Sequence, residues 1–167
     1  MNEFEPASRR WPDAMKRRGI SPFWGPKVVL QLALIGYAGW RLWAGPGSLS
    51  VTTWNLPGQV LVVLGGVCEL WHYVILKRHA GAVGETRSLL TRGGVFRWVR
   101  HPMYLGDALM VLGALWIAAD VWALALTVAF CVAMRGLLRD EDALLDEKFG
   151  EDFRAWAAGT GRAFPRF

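Results

Sequence analysis

Apolar residues in this chain are gathered into long, nearly uncharged blocks instead of alternating with polar ones. In a bilayer core no water pairs with exposed backbone groups, so such blocks must satisfy their own hydrogen bonds as helices. Four blocks stand out, at residues 28–44, 59–76, 102–119 and 121–138. Each is close to, and slightly short of, the ~20 residues that cross the hydrocarbon core. The expected fold is an all-α integral membrane helical bundle of about four transmembrane helices, with an interfacial N-terminal segment and a cytosolic C-terminal helix.

Composition agrees, since 53% of the residues are hydrophobic and only 20% charged. The ten tryptophans suit a membrane–water boundary. A chain of 167 residues has room for one domain. We divide it into a basic interfacial segment (1–27), N-terminal helices (28–86) and a chemistry-bearing half (87–167). A separate soluble nucleotide-binding module is excluded on length. The net charge of +5 reads as membrane topology, not as a nucleic-acid surface. Of the 19 Lys and Arg residues, all but Arg41 fall on one side of a four-span arrangement. That bias puts both termini in the cytosol, in an inner membrane of bacterial or archaeal type. Arg41 is expected to snorkel to the outer interface. Cys68 and Cys131 lie in apolar blocks, where thiols pack as small hydrophobes. The polar N-terminus and a first apolar block starting near Val28 argue against a cleaved leader.

Chemistry concentrates in two places. The first is the basic loop entering the third block. Pro102 after His101 marks a helix start, because proline lacks an N–H that would be unpaired there. Such a start presents a positive dipole end suited to a carboxylate or phosphate. Gly93 and Gly94 allow a tight turn or close ligand approach. Phe96, Trp98 and Tyr104 offer aromatic faces to a cation. The second place follows the fourth block, where Leu138, Glu141, Leu145 and Phe149 share one helical face. An acid in that stripe needs a partner. It is either a ligand group or a salt bridge to Arg135, Arg139 or the basic loop, with Asp142, Asp146, Glu147 and Lys148 pointing elsewhere. Within the blocks, Glu69 and His72 are expected to form a hydrogen-bonded pair, and Asp107 is an intramembrane acid of functional interest. No second Glu–His pair exists, so no metal site is expected.

The run Arg100-His101-Pro102-Met103-Tyr104-Leu105-Gly106 resembles the isoprenylcysteine carboxyl methyltransferase and phospholipid methyltransferase-like family. So do the later elements Asp140-Glu141-Asp142, Phe149-Gly150-Glu151-Asp152-Phe153 and Phe164-Pro165. The resemblance covers about residues 87–167. It implies a membrane enzyme that binds S-adenosyl-L-methionine in a cytosol-facing pocket. By similarity the cofactor is held by Arg87, Ser88, Leu89, Leu90, Phe96, His101, Pro102, Met103, Tyr104 and Glu141. Catalytic roles fall to His101, Tyr104 and Arg139. The acceptor implied is a lipid or other lipophilic small molecule entering between helices, foremost a carboxylate of the isoprenylcysteine type. Phospholipid amines and thiols are the alternatives. An amine acceptor must lose a proton, a task for His101 or Asp107. Family members acting on prenylated cysteine carry an arginine where this chain has Leu137, with Arg135 and Arg139 nearby as substitutes.

Two other classes compete. Membrane reductases that use NADPH share a similar Arg-His-Pro-x-Tyr-x-Gly segment followed by an acid, but an adenosine 2′-phosphate calls for a dedicated basic pocket. A non-catalytic membrane protein with a vestigial pocket is the other.

Overall fold

The computed structural model describes residues 21–44, 55–79 and 98–164. Among them are five helices and no strand: α1 (Trp24–Ala44), α2 (Leu56–His79), α3 (Pro102–Ala118), α4 (Val121–Phe149) and α5 (Glu151–Gly159). The all-α expectation holds. Among the described residues one helix, α4, is long and apolar enough to cross a membrane. Leu56–His72 and Pro102–Ala118 are shorter apolar helices, so length and composition support one span where four were expected.

Helix α1 begins at Trp24, four residues before the expected block. Its buried residues Lys27, Gln31, Leu34 and Ala38 recur at helical spacing and face α3 and α4. Lys27 is therefore no part of a surface basic tail. Its opposite face carries Val29, Leu32, Trp40 and Trp43, all exposed. An outward face this apolar suits lipid. Helices α1 and α4 are also joined at their cytosol-assigned ends. Ser21 Oγ donates to Asp140 Oδ2 at 2.6 Å, and the Phe23 ring lies against Gly136.

Helices α2 and α3 cross with backbones almost touching. Gly58 meets Gly113, and Gly65 meets Gly106. Each helix thus offers glycines seven residues apart, matched in antiparallel order. A Cβ on Gly65 would sit 2.5 Å from the Gly106 carbonyl oxygen, and one on Gly113 2.5 Å from that of Gly58. Backbone atoms cannot swing aside, so any side chain forces the helices apart. We expect Gly113→Val to cost about 1–3 kcal/mol, read as a lowered unfolding midpoint in detergent. Gly66→Ala, with nothing within 4 Å of its added carbon, should not lower that midpoint and should raise it slightly, since alanine favours a helix interior over glycine.

The turn expected at Asp120 is present. Ala119 adopts the left-handed conformation (φ 46°), and its N–H bonds the Leu115 carbonyl at 2.8 Å. Asp120 then caps α4 by accepting from the Ala123 N–H at 2.9 Å. The same carboxylate accepts from Tyr37 Oη at 2.6 Å and lies 3.6 Å from Arg41 Nε. Arg41 is thus paired with Asp120 in the turn between α3 and α4. Hydrogen bonding from Tyr37 leads the causes that hold Asp120 below the usual carboxylate range.

Helix α4 continues without a break from its apolar part through the acidic cluster. It ends at Gly150 (φ 52°), whose N–H bonds the Asp146 carbonyl at 2.8 Å. A left-handed φ there favours glycine. The expected polar tail is therefore first an extension of α4 and then α5, tied back by Arg154 Nε to Asp146 at 2.8 Å. The two cysteines are unbridged, and Cys131 is exposed instead of packed inside.

Candidate functional site

The site is built where three segments meet at one end of the bundle. Residues 98–101 enter α3, and residues 160–164 run beside them after α5. Val99 and Gly161 form a parallel bridge. The Arg100 N–H donates to the Gly161 carbonyl at 2.8 Å, and the His101 N–H to that of Arg162 at 2.9 Å. The Arg100 guanidinium donates to the carbonyls of Ala157 and Thr160 at 2.8 and 2.7 Å, closing the end of α5. The third segment is the polar extension of α4.

Helix α3 starts at Pro102, as its sequence requires, and no side chain caps it. Proline at the first position and an N-cap at φ −124°, ψ 71° present His101 and Tyr104 to α4 on adjacent turns. Tyr104 is buried, and its hydroxyl donates a short hydrogen bond to Glu141 Oε1. His101 is also buried. Its Nδ1 lies 3.2 Å from Glu141 Oε2 and its Nε2 2.9 Å from Asp142 Oδ1. A neutral imidazole has one N–H and can serve only one of these acids, whereas the imidazolium serves both. Burial works against that charge, but the hydrogen bonds the ring donates to Asp142 and then Glu141 outweigh it and raise the His101 pKa above its ordinary value. Asp142 is likewise desolvated, yet His101 first, then Arg100 and Arg162, hold its carboxyl below the usual range.

Asp142 is the residue the sequence reading missed. It was expected to point away from the Glu141 stripe. Instead it is 9% exposed and accepts from Arg162 Nε at 2.6 Å, with Arg100 at 3.5 Å. The signal lay in the Asp140-Glu141-Asp142 cluster, since consecutive helical acids flank one side chain inserted between them.

His101, Pro102, Met103, Tyr104 and Glu141 come together in the structure. Arg87, Ser88, Leu89, Leu90 and Phe96 lie outside the described residues. Arg139 is exposed on α4. Arg135 lines a cavity of about 370 Å³ beside Tyr104, Val111, Phe130, Met134 and Arg162. That cavity lies mainly between α3 and α4, is walled chiefly by apolar side chains and carries two arginines. Leu137 is fully buried in the helical core.

A second polar group lies deeper in the bundle. Lys27 Nζ is 2.5 Å from Asp107 Oδ2, with both side chains buried. Gln31 Nε2 donates to Glu69 Oε1 at 3.3 Å. The ammonium of Lys27 stands 5.6 Å from the centre of the Tyr104 ring. Glu69 therefore turns to Gln31, not to His72 as expected. The charged neighbours of His72 are Glu141 and His101. Among the described residues no three His, Cys, Asp or Glu side chains are grouped to hold a metal.

A family model of phospholipid methyltransferases matches residues 53–152, which spans α2 through the start of α5. The cobalt-zinc-cadmium resistance protein CzcN of Cupriavidus metallidurans is 29% identical over 143 residues, 83% of this chain and 59% of the relative. The nickel-cobalt-cadmium resistance protein NccN of Alcaligenes xylosoxydans xylosoxydans is 28% identical over 142 residues, 83% of this chain and 60% of the relative. The chain thus spans about three fifths of the length of these curated relatives. No solved structure matches it. The family match runs through both halves of the site, the His101–Tyr104 helix start and the Glu141–Asp142 extension of α4, and the chain belongs to the phospholipid methyltransferase family.

Proposed function

We propose that the chain is an S-adenosylmethionine-dependent methyltransferase acting on a lipophilic acceptor held in the membrane. The observation that carries this reading is the convergence of His101, Tyr104 and Glu141 beside an apolar cavity. The donor set fits the cofactor. Glu141 presents a carboxylate suited to an ammonium. The uncapped start of α3 suits a carboxylate. Tyr104 adds an aromatic face suited to a sulfonium. Bound there, the cofactor would supply a methyl group on a good, neutral leaving group.

Such a displacement asks mainly for alignment and exclusion of water. Tyr104 lines the cavity and also binds Glu141, so one side chain borders both partners. The apolar cavity suits a lipid chain. Arg135 and Arg162 stand at it as cations for a polar head, and Arg135 takes the substrate-holding role that the sequence reading left open between it and Arg139. A carboxylate or thiolate acceptor needs no base. In the membrane we place the four apolar helices as spans, with this site on the cytosolic face, in accord with the basic residues around it.

Purified protein incubated with radiolabelled S-adenosylmethionine and a membrane lipid extract should label a lipid. Release of the label by mild base identifies a methyl ester, and its retention a methylamine or thioether. An unlabelled extract, together with thermal stabilisation by NADPH but not by S-adenosylhomocysteine, would instead favour a reductase.

A further inference from the structure

We infer that Asp142 is a positioning residue of this site, holding His101 as a doubly protonated ring whose Nδ1–H fixes Glu141, and tying the C-terminal strap (160–164) to the same point. This deepens the proposed function and rests on it for the identity of the ligand.

Two consecutive residues of one helix turn, Glu141 and Asp142, each face one nitrogen of the same imidazole, at 3.2 and 2.9 Å. Without Asp142 the ring has one acid to serve, and either a neutral tautomer or a rotated ring satisfies it. With Asp142 the ring plane and both protons are set. Glu141 then accepts from His101 on one oxygen and from Tyr104 on the other, which fixes its carboxylate plane toward an incoming ammonium. Asp142 is itself oriented from the far side. Its Oδ2 takes the Arg162 guanidinium at 2.6 Å and Arg100 at 3.5 Å. Arg162 belongs to the strap paired in parallel with residues 98–101, and it also lines the apolar cavity. One carboxylate thus connects the ring that orders Glu141 to the wall of the cavity. The charged and titratable groups facing His101 are Glu141 and Asp142 from α4, Arg100 beside it, Arg162 from the strap, Tyr104 from α3 and His72 from α2.

The two partners of Asp142 give opposite predictions. Asp142→Asn keeps the shape and removes the charge, so the proton affinity of His101 should fall about tenfold or more, the scale of one charged hydrogen bond. Arg162→Leu removes a cation that competes for Asp142, so His101 should hold its proton to a higher pH. A mere packing role predicts no such reversal. The measurement is a pH titration of ring-nitrogen shifts in histidine-labelled protein in detergent micelles, with His72 and His79 replaced by glutamine to leave one signal. In parallel, S-adenosylhomocysteine affinity should fall about tenfold in Asp142→Asn and recover in part in Asp142→Glu. If Asp142→Asn does not fold, Arg162→Leu, at a half-exposed side chain, carries the test alone. An unchanged His101 titration in Asp142→Asn, or an unchanged or downward-shifted one in Arg162→Leu, overturns the hold on His101. Both shifts in the variants, together with native protein that binds no S-adenosylhomocysteine, overturn the ligand and Asp142's role in binding it, while leaving the measured hold on His101 in place.

Discussion

Replacing Glu141 by glutamine should weaken S-adenosylmethionine binding by about tenfold or more, the ~1.5–3 kcal/mol of one charged hydrogen bond. The substitution keeps the length of the side chain and its acceptor oxygen toward Tyr104. It removes the charge that the His101 ring shares with Asp142 and that an ammonium requires. Titration calorimetry in detergent reads the effect directly. Tyr104→Ala provides the comparison, because it strips both the donor to Glu141 and a wall of the cavity. It should reduce cofactor affinity while the helices remain folded by circular dichroism. Native affinity in Glu141→Gln would remove that residue from the site.

The second large effect concerns stability. Asp107→Ala leaves the Lys27 ammonium buried without its 2.5 Å partner, and should destabilise the protein by about 3–5 kcal/mol. The loss arises from the stranded charge more than from the attraction given up. A double variant, Lys27→Met with Asp107→Leu, should therefore recover most of the native stability, because neither charge is then desolvated. Unfolding midpoints in a detergent titration measure all three. A single variant as stable as the native protein would mean that Glu69 or water takes over Lys27, and that the pair contributes little. The choice of Lys27 matters for the site as well, since its ammonium stands over the Tyr104 ring. Loss of the pair should loosen the start of α1 against α3 and, through Tyr104, the contact with Glu141.

Both sites show how partial the sequence was as a guide. The helix start at Pro102 was legible because proline and the preceding residue obey strictly local rules. The partnership of that start with Glu141 was legible through family resemblance, since the two lie 37 residues apart and no local pattern links them. Asp142 was misread because helical periodicity locates a face but does not say which neighbour fills it. A stripe judged by its apolar members assigned the inside to Glu141 alone. In the structure His101 enters between the two acids, and the more buried of them is Asp142. Lys27 was taken as part of a basic, interfacial segment, and only the position of Asp107 on a facing helix turns it inward. The glycines at 58, 65, 106 and 113 were visible as residues but not as a contact, because the antiparallel matching of two helices is a property of the pair.

The sequence by itself determined a helical chain with long apolar blocks, a proline-marked helix start and an acidic helix beyond the last block. These follow from bonds and side-chain preferences that act within a few residues. Only the tertiary structure decided which acid holds the His101 ring, that α4 runs unbroken into the acidic cluster, and that the residues after α5 return to pair with 98–101. Those outcomes depend on charges and backbone groups far apart in the chain, whose burial is tolerable only once a specific partner meets them.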